Sequence, residues 1–480
     1  MTLAAWTAMD ALKEAVYLTN VLFLSIIALQ NLLYLAQLIL AGLELRRHML
    51  QSRRSDAWWM LTSGITMPIS ILAPAFNEEA TIEENIRSLL ALEYPECEII
   101  IINDGSKDQT LQKAIAAFKL TPVERAHQLS VPHKQIRGLY GNPTHPRLLV
   151  VDKENGGKSD ALNAGINLAR SPLICAVDAD SLLDTDALLR VVRPFIDDPQ
   201  RMIAAGGRIR IVNGCKVRGG QVVEHGIPRE WIPRFQTVEY TRAFLMARLA
   251  WSRLNAMLII SGAFGLFRRS AAIAVGGYSH GTVGEDMEIV TKMHRHFREH
   301  NIPYRMRYVP DPVCWTESPA SLKILRRQRS RWQRGMMETL WKHRRMIASP
   351  AYGAAGLVGL TSFFLFDVIG PIVELAGYVL IPLCWAVGML SYKFFLSYLM
   401  LTFMFGVFIS VASLFLEEAT LKQTEKASDL CILTLSAVVE NFGYRQLNNF
   451  WRLEGIWQFI TKKQGWGTMT RAGFQKSGAK

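Results

Sequence analysis

Two aspartates, Asp178 and Asp180, follow a short apolar run and are separated by a single residue. In an extended chain, residues i and i+2 project to the same side, so both carboxylates can face one site. Two carboxylates together with the oxygens of a diphosphate suit Mg²⁺ or Mn²⁺, since Mg²⁺ prefers carboxylates and substrate phosphates. The alternative is that the pair only closes a turn, where Asp is common.

Lys158 ends the segment Asn155-Gly156-Gly157-Lys158, between a predicted strand and a predicted helix. Two glycines and a helix N-terminus can bring backbone amides and an ammonium group to a phosphate. The segment does not match the nucleotide P-loop, because the first glycine of that motif would stand at Asp152. An ATPase is therefore disfavoured, although the two glycines alone could equally form a tight turn.

Asp286 stands at the start of a helical segment, directly after Gly284 and Glu285. One interpretation is an ordinary acid at a helix start, which the helix dipole favours. The other is a general base, which must be an ionisable group within reach of a reacting hydroxyl.

Gln328, Arg331 and Trp332 lie in a very basic segment, 321–348, which has nine Lys or Arg residues and one Glu. Such a helix could simply lie on a lipid surface. An amide and an indole are unusual choices for pure charge attraction, however, and both can hydrogen-bond to or stack on a sugar.

The elements that must position these side chains alternate between strand and helix. Apolar runs rich in β-branched residues predict strands at 69–73, 98–102, 148–151 and 173–177, with helical spacing at 81–92 and 159–169. This alternation of strands and helices predicts an α/β fold with a mostly parallel, Rossmann-like sheet. Ligands bind such sheets at the carboxyl ends of the strands, where Asp104, Asp152 and the Asp178/Asp180 pair stand.

Apolar segments flank this region on both sides. Residues 15–43 carry no charged side chain and are long enough to cross a bilayer; a cleaved signal peptide is the alternative. Further apolar runs at 346–366, 375–392, 394–416 and the weaker 430–439 predict three or four more crossings, and the basic tail favours four. Asp367, Glu374 and Glu440 should either face a polar cavity or partner, or lie near an interface.

The charge balance places the central region on one side of the membrane. The chain has 54 Lys and Arg against 41 Asp and Glu, a net charge of +13, and only 20% of its residues are charged, against about 25% in soluble domains. The basic excess lies in 321–348 and in 462–480, next to apolar runs. Basic flanks stay in the cytoplasm, so the pattern predicts a cytoplasmic central region and argues against nucleic-acid binding.

The order of the motifs is more specific than any one of them. They run Pro74-Ala-Phe-Asn77-Glu78-Glu79, Asn103-Asp104-Gly-Ser, Asn155-Gly-Gly-Lys158, Asp178-Ala-Asp180, Ser261-Gly-Ala-Phe264-Gly, Glu285-Asp286 and Gln328-x-x-Arg331-Trp332. This series resembles the membrane-bound family-two glycosyltransferases, which include cellulose, chitin, hyaluronan and poly-N-acetylglucosamine synthases. The resemblance covers residues 67–345, and Gly284 departs from it where many relatives have Thr or Ser.

The resemblance implies a GT-A-like fold and a role for each matching residue. It implies that Asp104 binds the uracil or ribose of a UDP-sugar, that Asp178 and Lys158 lie near the donor, and that Asp180 ligates Mg²⁺ or Mn²⁺. Asp286 would be the catalytic base on the acceptor hydroxyl. The remaining substrate-binding residues implied are Asn77, Glu79, Gln328, Arg331 and Trp332.

The resemblance further implies the organisation and activity of the whole chain. The expected parts are a transmembrane anchor (1–45), a cytoplasmic glycosyltransferase domain (65–318), a basic interfacial helix (319–348), C-terminal transmembrane helices (349–450) and a basic tail (451–480). We expect an inverting, processive enzyme of the bacterial inner membrane that polymerises a UDP-sugar, most simply UDP-N-acetylglucosamine, and moves the glycan across the membrane. Its partners would be the donor, the growing glycan, membrane lipids and an accessory membrane subunit. The alternatives are a transferase that adds one sugar to a lipid-linked acceptor, and a membrane scaffold or transporter with a degenerate transferase domain.

Overall fold

The strands of the protein form one large sheet and one small hairpin. The computed structural model describes residues 3–52, 64–179, 181–421 and 426–462. The strands are β1 (Ile69–Ala75), β2 (Cys97–Asn103), β3 (Thr121–Pro122), β4 (Ile136–Gly141), β5 (Leu148–Lys153), β6 (Leu173–Val177), β7 (Leu182–Leu183), β8 (Met202–Ile211), β9 (Lys216–Arg218), β10 (Gln221–Glu224), β11 (Phe264–Arg268) and β12 (Arg305–Thr316). In the described residues the large sheet has the order β3-β4-β5-β2-β1-β6-β11-β8-β12-β7, and β9 pairs with β10.

The predicted parallel core is present at the centre of this sheet. Strands β5, β2, β1 and β6 are neighbours and run parallel. β4 and β11 pair antiparallel with the two edges of this group, so the complete sheet is mixed. The α/β prediction is therefore confirmed, but the sheet is mixed and not mostly parallel: β8 and β12 form the one further parallel pair among the described strands, and the other pairs are antiparallel.

Successive side chains of the central strands pack into two different cores. Ile71 and Ile101 belong to the core on one face, whereas Leu72 and Ile102 belong to the core on the other. Because side chains alternate along a strand and both faces are covered, these strands are continuously apolar. The apolar runs seen in the sequence have this cause.

The helices cover the sheet and extend beyond it. They are α1 (Leu3–Ser52), α2 (Ile82–Leu90), α3 (Thr110–Phe118), α4 (Lys158–Leu168), α5 (Ala187–Asp197), α6 (Trp231–Tyr240), α7 (Arg248–Arg253), α8 (Arg269–Ala274), α9 (Glu285–Glu299), α10 (Leu322–Lys342), α11 (Gly370–Ala386), α12 (Tyr392–Leu399), α13 (Phe405–Leu421), α14 (Ala427–Val439) and α15 (Tyr444–Ile460). Segments of π-helix lie at Thr241–Ala247, Ala355–Leu360, Phe363–Ile369 and Met400–Met404, and 3₁₀ turns at Arg344–Met346 and Pro350–Tyr352. Helices α2 and α4 are the two predicted from spacing.

Three helices in the described residues are long and apolar enough to cross a membrane: Asp10–Leu50, Ala355–Ala386 and Tyr392–Leu421. Two of these helices follow the sheet, fewer than the four C-terminal crossings favoured from the sequence. The first two predicted crossings lie largely on one continuous helix, Ala355–Ala386, and the last apolar run forms only the shorter Ala427–Val439.

Two of the acidic residues in the apolar segments have partners of opposite charge. Asp367 and Glu374 both lie within Ala355–Ala386 and form ion pairs with Arg452 and Arg445 respectively. A charge inside an apolar helix is tolerated when it has a partner, so the helix continues through both positions. The expectation of a polar partner is confirmed for both.

Candidate active site

The loops at the carboxyl ends of β1, β2 and β6 open into one cavity of about 1870 Å³. Every predicted site residue that the structure describes lines this cavity: Asn77, Glu79, Asp104, Lys158, Asp178, Asp286, Gln328, Arg331 and Trp332. Asp180, the predicted metal ligand, lies outside the described residues. Because parallel sheets bind ligands at this edge, the cavity is the candidate active site.

Lys158 is shared between two carboxylates at the start of α4. Its Nζ lies 2.6 Å from Oδ1 of Asp178 and 2.8 Å from Oε1 of Glu285. Burial disfavours the charged form of Lys158, but the two carboxylates outweigh it and raise the pKa of the ammonium group. Burial also works against ionised Glu285, and there Lys158 outweighs it and lowers the pKa. A charged ammonium group at a helix N-terminus is suited to bind a phosphate.

Asp286 lies in the first turn of α9 and shares a neighbour with Lys158. Its Oδ2 accepts a hydrogen bond from the N–H of Gly262 at 3.3 Å, while the carbonyl oxygen of Gly262 lies 3.4 Å from Nζ of Lys158. Burial and the adjacent Glu285 raise the pKa of Asp286. A carboxylate with a raised pKa is a stronger base, which is compatible with the predicted role of Asp286 as a general base.

Asp104 is buried, and its carboxylate binds the loop that leads to Lys158. Its carboxylate accepts hydrogen bonds from Lys153 Nζ at 2.7 Å, Gly156 N at 3.0 Å and Gly157 N at 2.7 Å. Asn155 adds a further bond from its side-chain amide at 3.2 Å. Four donors from the chain therefore saturate the carboxylate that the resemblance assigned to the nucleotide.

Glycine is required directly after Asp104. Gly105 has a φ of +66°, and a Cβ placed there would lie 2.8 Å from the backbone nitrogen of Asn155. The loop after β2 and the loop before α4 can approach this closely only because residue 105 has no side chain.

Asn77 and Glu79 join the loops that follow β1 and β2. The Oδ1 of Asn77 accepts a hydrogen bond from the N–H of Lys107 at 2.9 Å, and Asn77 adopts a φ of +57°. The Oε2 of Glu79 accepts one from the N–H of Gln109 at 3.1 Å, just before α3. Both side chains therefore shape the wall of the cavity through backbone contacts.

Helix α10 presents Gln328, Arg331 and Trp332 to the cavity. Its position is fixed by Arg329, which donates hydrogen bonds of 2.7 and 2.9 Å to the two carboxylate oxygens of Glu239. The same guanidinium group lies 4.5 Å from the ring centroid of Trp332 and so orients the indole. The basic helix therefore serves the cavity and does not act only as a lipid-facing surface.

A backbone contact brings α10 against the start of α9. A Cβ added at Gly335 would lie 2.7 Å from the nitrogen of Gly284, and one added at Gly284 would lie 3.0 Å from the carbonyl carbon of Gly335. Gly284, the position that departs from the family pattern, thus meets a second glycine. This close approach fixes the distance between Asp286 and the Gln328–Trp332 face of α10.

Arg248 is a cavity residue that the sequence motifs do not reveal. It lines the cavity and is 8% exposed, and its charge acts on Asp286. No motif surrounds it, but it is a single cation inside the apolar run 243–251, and that is the signal that could have found it.

Asp178, at the end of β6, could contribute a carboxylate to a divalent cation that arrives with a diphosphate. Asp178 lines the cavity with a side chain that is 32% exposed. No group of three or more His, Cys, Asp or Glu residues within the described ranges could hold a metal by itself. Mg²⁺ commonly uses only one or two carboxylates and takes its other ligands from phosphates and water, so a site of this kind does not need a larger acidic cluster.

Comparison with known proteins identifies the class of the domain. Residues 70–276 match the family model Glycosyl transferase family 2, so the region from β1 to α8 is a family 2 glycosyltransferase domain. The resemblance inferred from the ordered motifs is thereby confirmed.

Individual curated relatives match the chain over a longer stretch than the family model does. The chain is 32% identical over 272 residues to a poly-beta-1,6-N-acetyl-D-glucosamine synthase of Staphylococcus epidermidis, covering 57% of this chain and 55% of the relative. It is 31% identical over 273 residues to the protein of the same name from Staphylococcus aureus strain COL, with the same coverage. The chain thus spans about half the length of these curated relatives.

A solved structure supports the fold. A mannosyltransferase of Pyrobaculum calidifontis, determined with GDP-Man and Mn²⁺, aligns with a TM-score of 0.52 and 17% identity. The alignment covers 92% of this chain and 100% of that chain. The likeness confirms the predicted GT-A-like architecture.

Proposed function

We propose that this protein is a polysaccharide synthase that polymerises UDP-N-acetylglucosamine into a β-linked glycan and passes it across the membrane. The named relatives are synthases of such a polymer, which supports the choice of sugar. The observation that carries the proposal is the extent of the cavity. It is lined by the strand-end residues Lys158 and Asp178 and also by Gln30, Glu374 and Gly406, one from each of the three helices long enough to cross a membrane.

The donor end of the cavity is built to hold a diphosphate and release it. Lys158 and Arg331 supply positive charge, and Asp178 supplies a carboxylate for a cation. We propose that Asp178 and Asp180 hold Mg²⁺ or Mn²⁺, which when bound neutralises charge on the leaving diphosphate. Lys158 is already charged and fixed by two ion pairs, so it needs little rearrangement to meet the phosphate.

Asp286 removes the proton of the acceptor hydroxyl. The hydroxyl oxygen forms a bond to the anomeric carbon of the donor while the bond from that carbon to the phosphate oxygen breaks, and UDP leaves with the electron pair. The proton passes to the carboxylate of Asp286, whose pKa is raised by burial and by Glu285. A single displacement inverts the anomeric centre, so an α-linked donor gives a β-linkage.

The proposed location follows from the charges beside the apolar helices. The basic segment 321–348 and the basic tail 462–480 support a bacterial inner-membrane enzyme with the sheet domain and the C-terminus in the cytoplasm. Reporter fusions at residues 3 and 470 test this arrangement. We expect an external signal from the first and a cytoplasmic signal from the second.

The activity is tested with the full-length protein purified in detergent. Radiolabelled UDP-N-acetylglucosamine and Mg²⁺ or Mn²⁺ should give a polymer that a β-1,6-specific N-acetylglucosaminidase degrades. A product carrying one sugar on a lipid would instead assign the single-addition reaction. Activity found only in native membranes would indicate a further subunit, and no UDP release from any UDP-sugar would overturn the proposal.

A further inference from the structure

Arg248 is a buried cation without a partner of opposite charge. It is 8% exposed and forms no ion pair within 4.0 Å among the described residues, and its Nη1 has no hydrogen-bond partner there. The guanidinium group lies 4.0 Å from the ring centroid of Phe244 and 5.9 Å from that of Tyr308. These two rings hold the group on both sides without neutralising it.

The polar groups nearest to Arg248 leave its charge in place. Burial raises the pKa of Tyr308 to about 12, so its hydroxyl stays neutral at ordinary pH. Burial also lowers the pKa of the Arg248 guanidinium group, as expected for a cation removed from water. A guanidinium group nevertheless remains protonated in proteins, so the site keeps a positive charge and an unused N–H donor.

The local fold places Arg248 at the wall of the cavity. Arg248 is the first residue of α7, directly after the π-helical segment Thr241–Ala247, and it lines the cavity. A π-helical turn carries an additional residue relative to an α-helical turn and is frequent at functional sites. The irregular turn therefore changes the direction of the side chains that follow it.

Arg248 and Lys158 both act on Asp286 through their charges. Lys158 contacts Asp178, Glu285 and the carbonyl oxygen of Gly262, whereas Asp286 contacts the N–H of Gly262. Arg248 acts on Asp286 through its charge and makes no ion pair with the acids that hold Lys158. Asp286 therefore has two cations near it: Lys158, which is ion-paired, and Arg248, which forms no ion pair within the described part of the chain.

An unpaired buried cation lowers stability, because removing a charge from water is costly unless another group compensates. A ligand that accepts a hydrogen bond from Nη1 compensates this cost in the bound state. Glycans offer hydroxyl and amide oxygens for such a bond.

We propose that Arg248 is an acceptor-binding residue, whose Nη1 donates a hydrogen bond to an oxygen of the growing glycan next to the hydroxyl that Asp286 deprotonates. This assignment rests on the proposed function. It adds a specific contact for the end of the chain that receives each new sugar.

The test compares Arg248→Met with wild type and with Arg253→Met, using the purified full-length protein. Arg253 ends the same helix, pairs with Glu44 at 2.9 Å and does not line the cavity. Losing a hydrogen bond to a charged group should shorten the polymer made from saturating UDP-N-acetylglucosamine by about tenfold or more. The KM for this donor should change by less than about twofold, and Arg253→Met should make polymer of normal length.

A second measurement separates ligand binding from packing. Removing an uncompensated buried charge should leave the thermal unfolding midpoint unchanged or raise it. Guanidinium ions added to Arg248→Ala should lengthen its product, because they can occupy the vacated position. They should not affect Arg253→Ala.

Two results would overturn the proposal. A raised KM for UDP-N-acetylglucosamine with polymer of normal length would place Arg248 in the donor site. A lowered unfolding midpoint without rescue by guanidinium would make it a packing residue. Failure of wild type to transfer from any UDP-sugar would overturn the proposed function instead, and that outcome does not depend on any Arg248 variant.

Discussion

Charged side chains are ion-paired differently in the two halves of the cavity. In the strand-end half, one ammonium group, Lys158, is shared by Asp178 and Glu285. Asp286 and Arg248 form no ion pair within 4.0 Å among the described residues. In the membrane half, by contrast, carboxylates have arginines of their own, in the pairs Asp367–Arg452, Glu374–Arg445 and Glu440–Arg242.

This difference indicates what each half binds. A site with incompletely paired charges gains most from a charged ligand or a proton transfer. A passage whose charges are already paired presents polar atoms but no net charge, which suits a neutral glycan. Along its length the cavity thus changes from incompletely paired charges to paired ones, which under the proposed function corresponds to a reactive site followed by a neutral polar passage.

The largest effect should come from removing the charge that holds the cation at the strand end. We expect Asp180→Asn to abolish sugar transfer, because a carboxylate ligand loses its charge, while the protein remains folded and inserted. EDTA should have the same effect on wild type, measured as UDP release. Transfer that persists at a near-normal rate in the variant with EDTA present would rule out the metal role.

The next largest effect concerns the base. Asp286→Asn keeps the shape of the side chain but cannot accept the proton, so transfer should fall by about 10²–10⁴-fold. Binding of UDP-N-acetylglucosamine, measured directly, should remain. Glu299→Gln, at the exposed end of the same helix, is the matched control and should be close to wild type. Loss of donor binding in Asp286→Asn would assign the residue to the donor site.

The sequence predicted what depends on local pattern and motif order. The four parallel strands follow from apolar runs, and the convergence of Asp178, Lys158 and Asp286 follows from strand ends and helix starts. The saturation of Asp104 by Lys153 and the loop before α4 could not be predicted, because these contacts join segments about 50 positions apart. The role of Arg248 could not be predicted either, because it also depends on contacts between distant segments. Only the folded cavity distinguishes an unpaired arginine from a paired one.

In the membrane segments, the sequence suggested a boundary that the folded structure does not have. Asp367 and Glu374 suggested a break between two crossings, because an isolated charge in an apolar helix is costly. The break is unnecessary once Arg452 and Arg445 of α15 pair with them. The number of membrane crossings can therefore be counted only when the tertiary partner of each charged residue is known.

A moderate effect is expected from unpairing a charge in the membrane half. Glu374→Gln leaves Arg445, now 3.5 Å from the Glu374 carboxylate, as an unpaired cation in the passage. A charged donor that binds glycan oxygens should hold the polymer and shorten the product about tenfold, with an unchanged KM for the donor. The double variant Glu374→Gln/Arg445→Gln removes both charges and should recover much of the length. If the double variant is worse than the single one, the passage does not depend on neutrality.

The smallest effect should come from Glu285, which acts on both the base and Lys158. Asp286 works only when ionised, so activity is present above its pKa and is lost as the pH falls through it. Burial first, and then the negative charge of Glu285, raise this pKa. Glu285→Gln removes the second cause, so the acidic limb of kcat/KM should move to lower pH, and the rate at pH 7 should fall by less than about tenfold, equivalent to one pKa unit of interaction. The KM for the donor should also rise, because Lys158 loses the carboxylate 2.8 Å away.

Glu285→Asp keeps the charge and is the control, with a pH profile close to wild type. An acidic limb that stays in place, or a loss as large as that of Asp286→Asn, would show that Glu285 itself carries the proton.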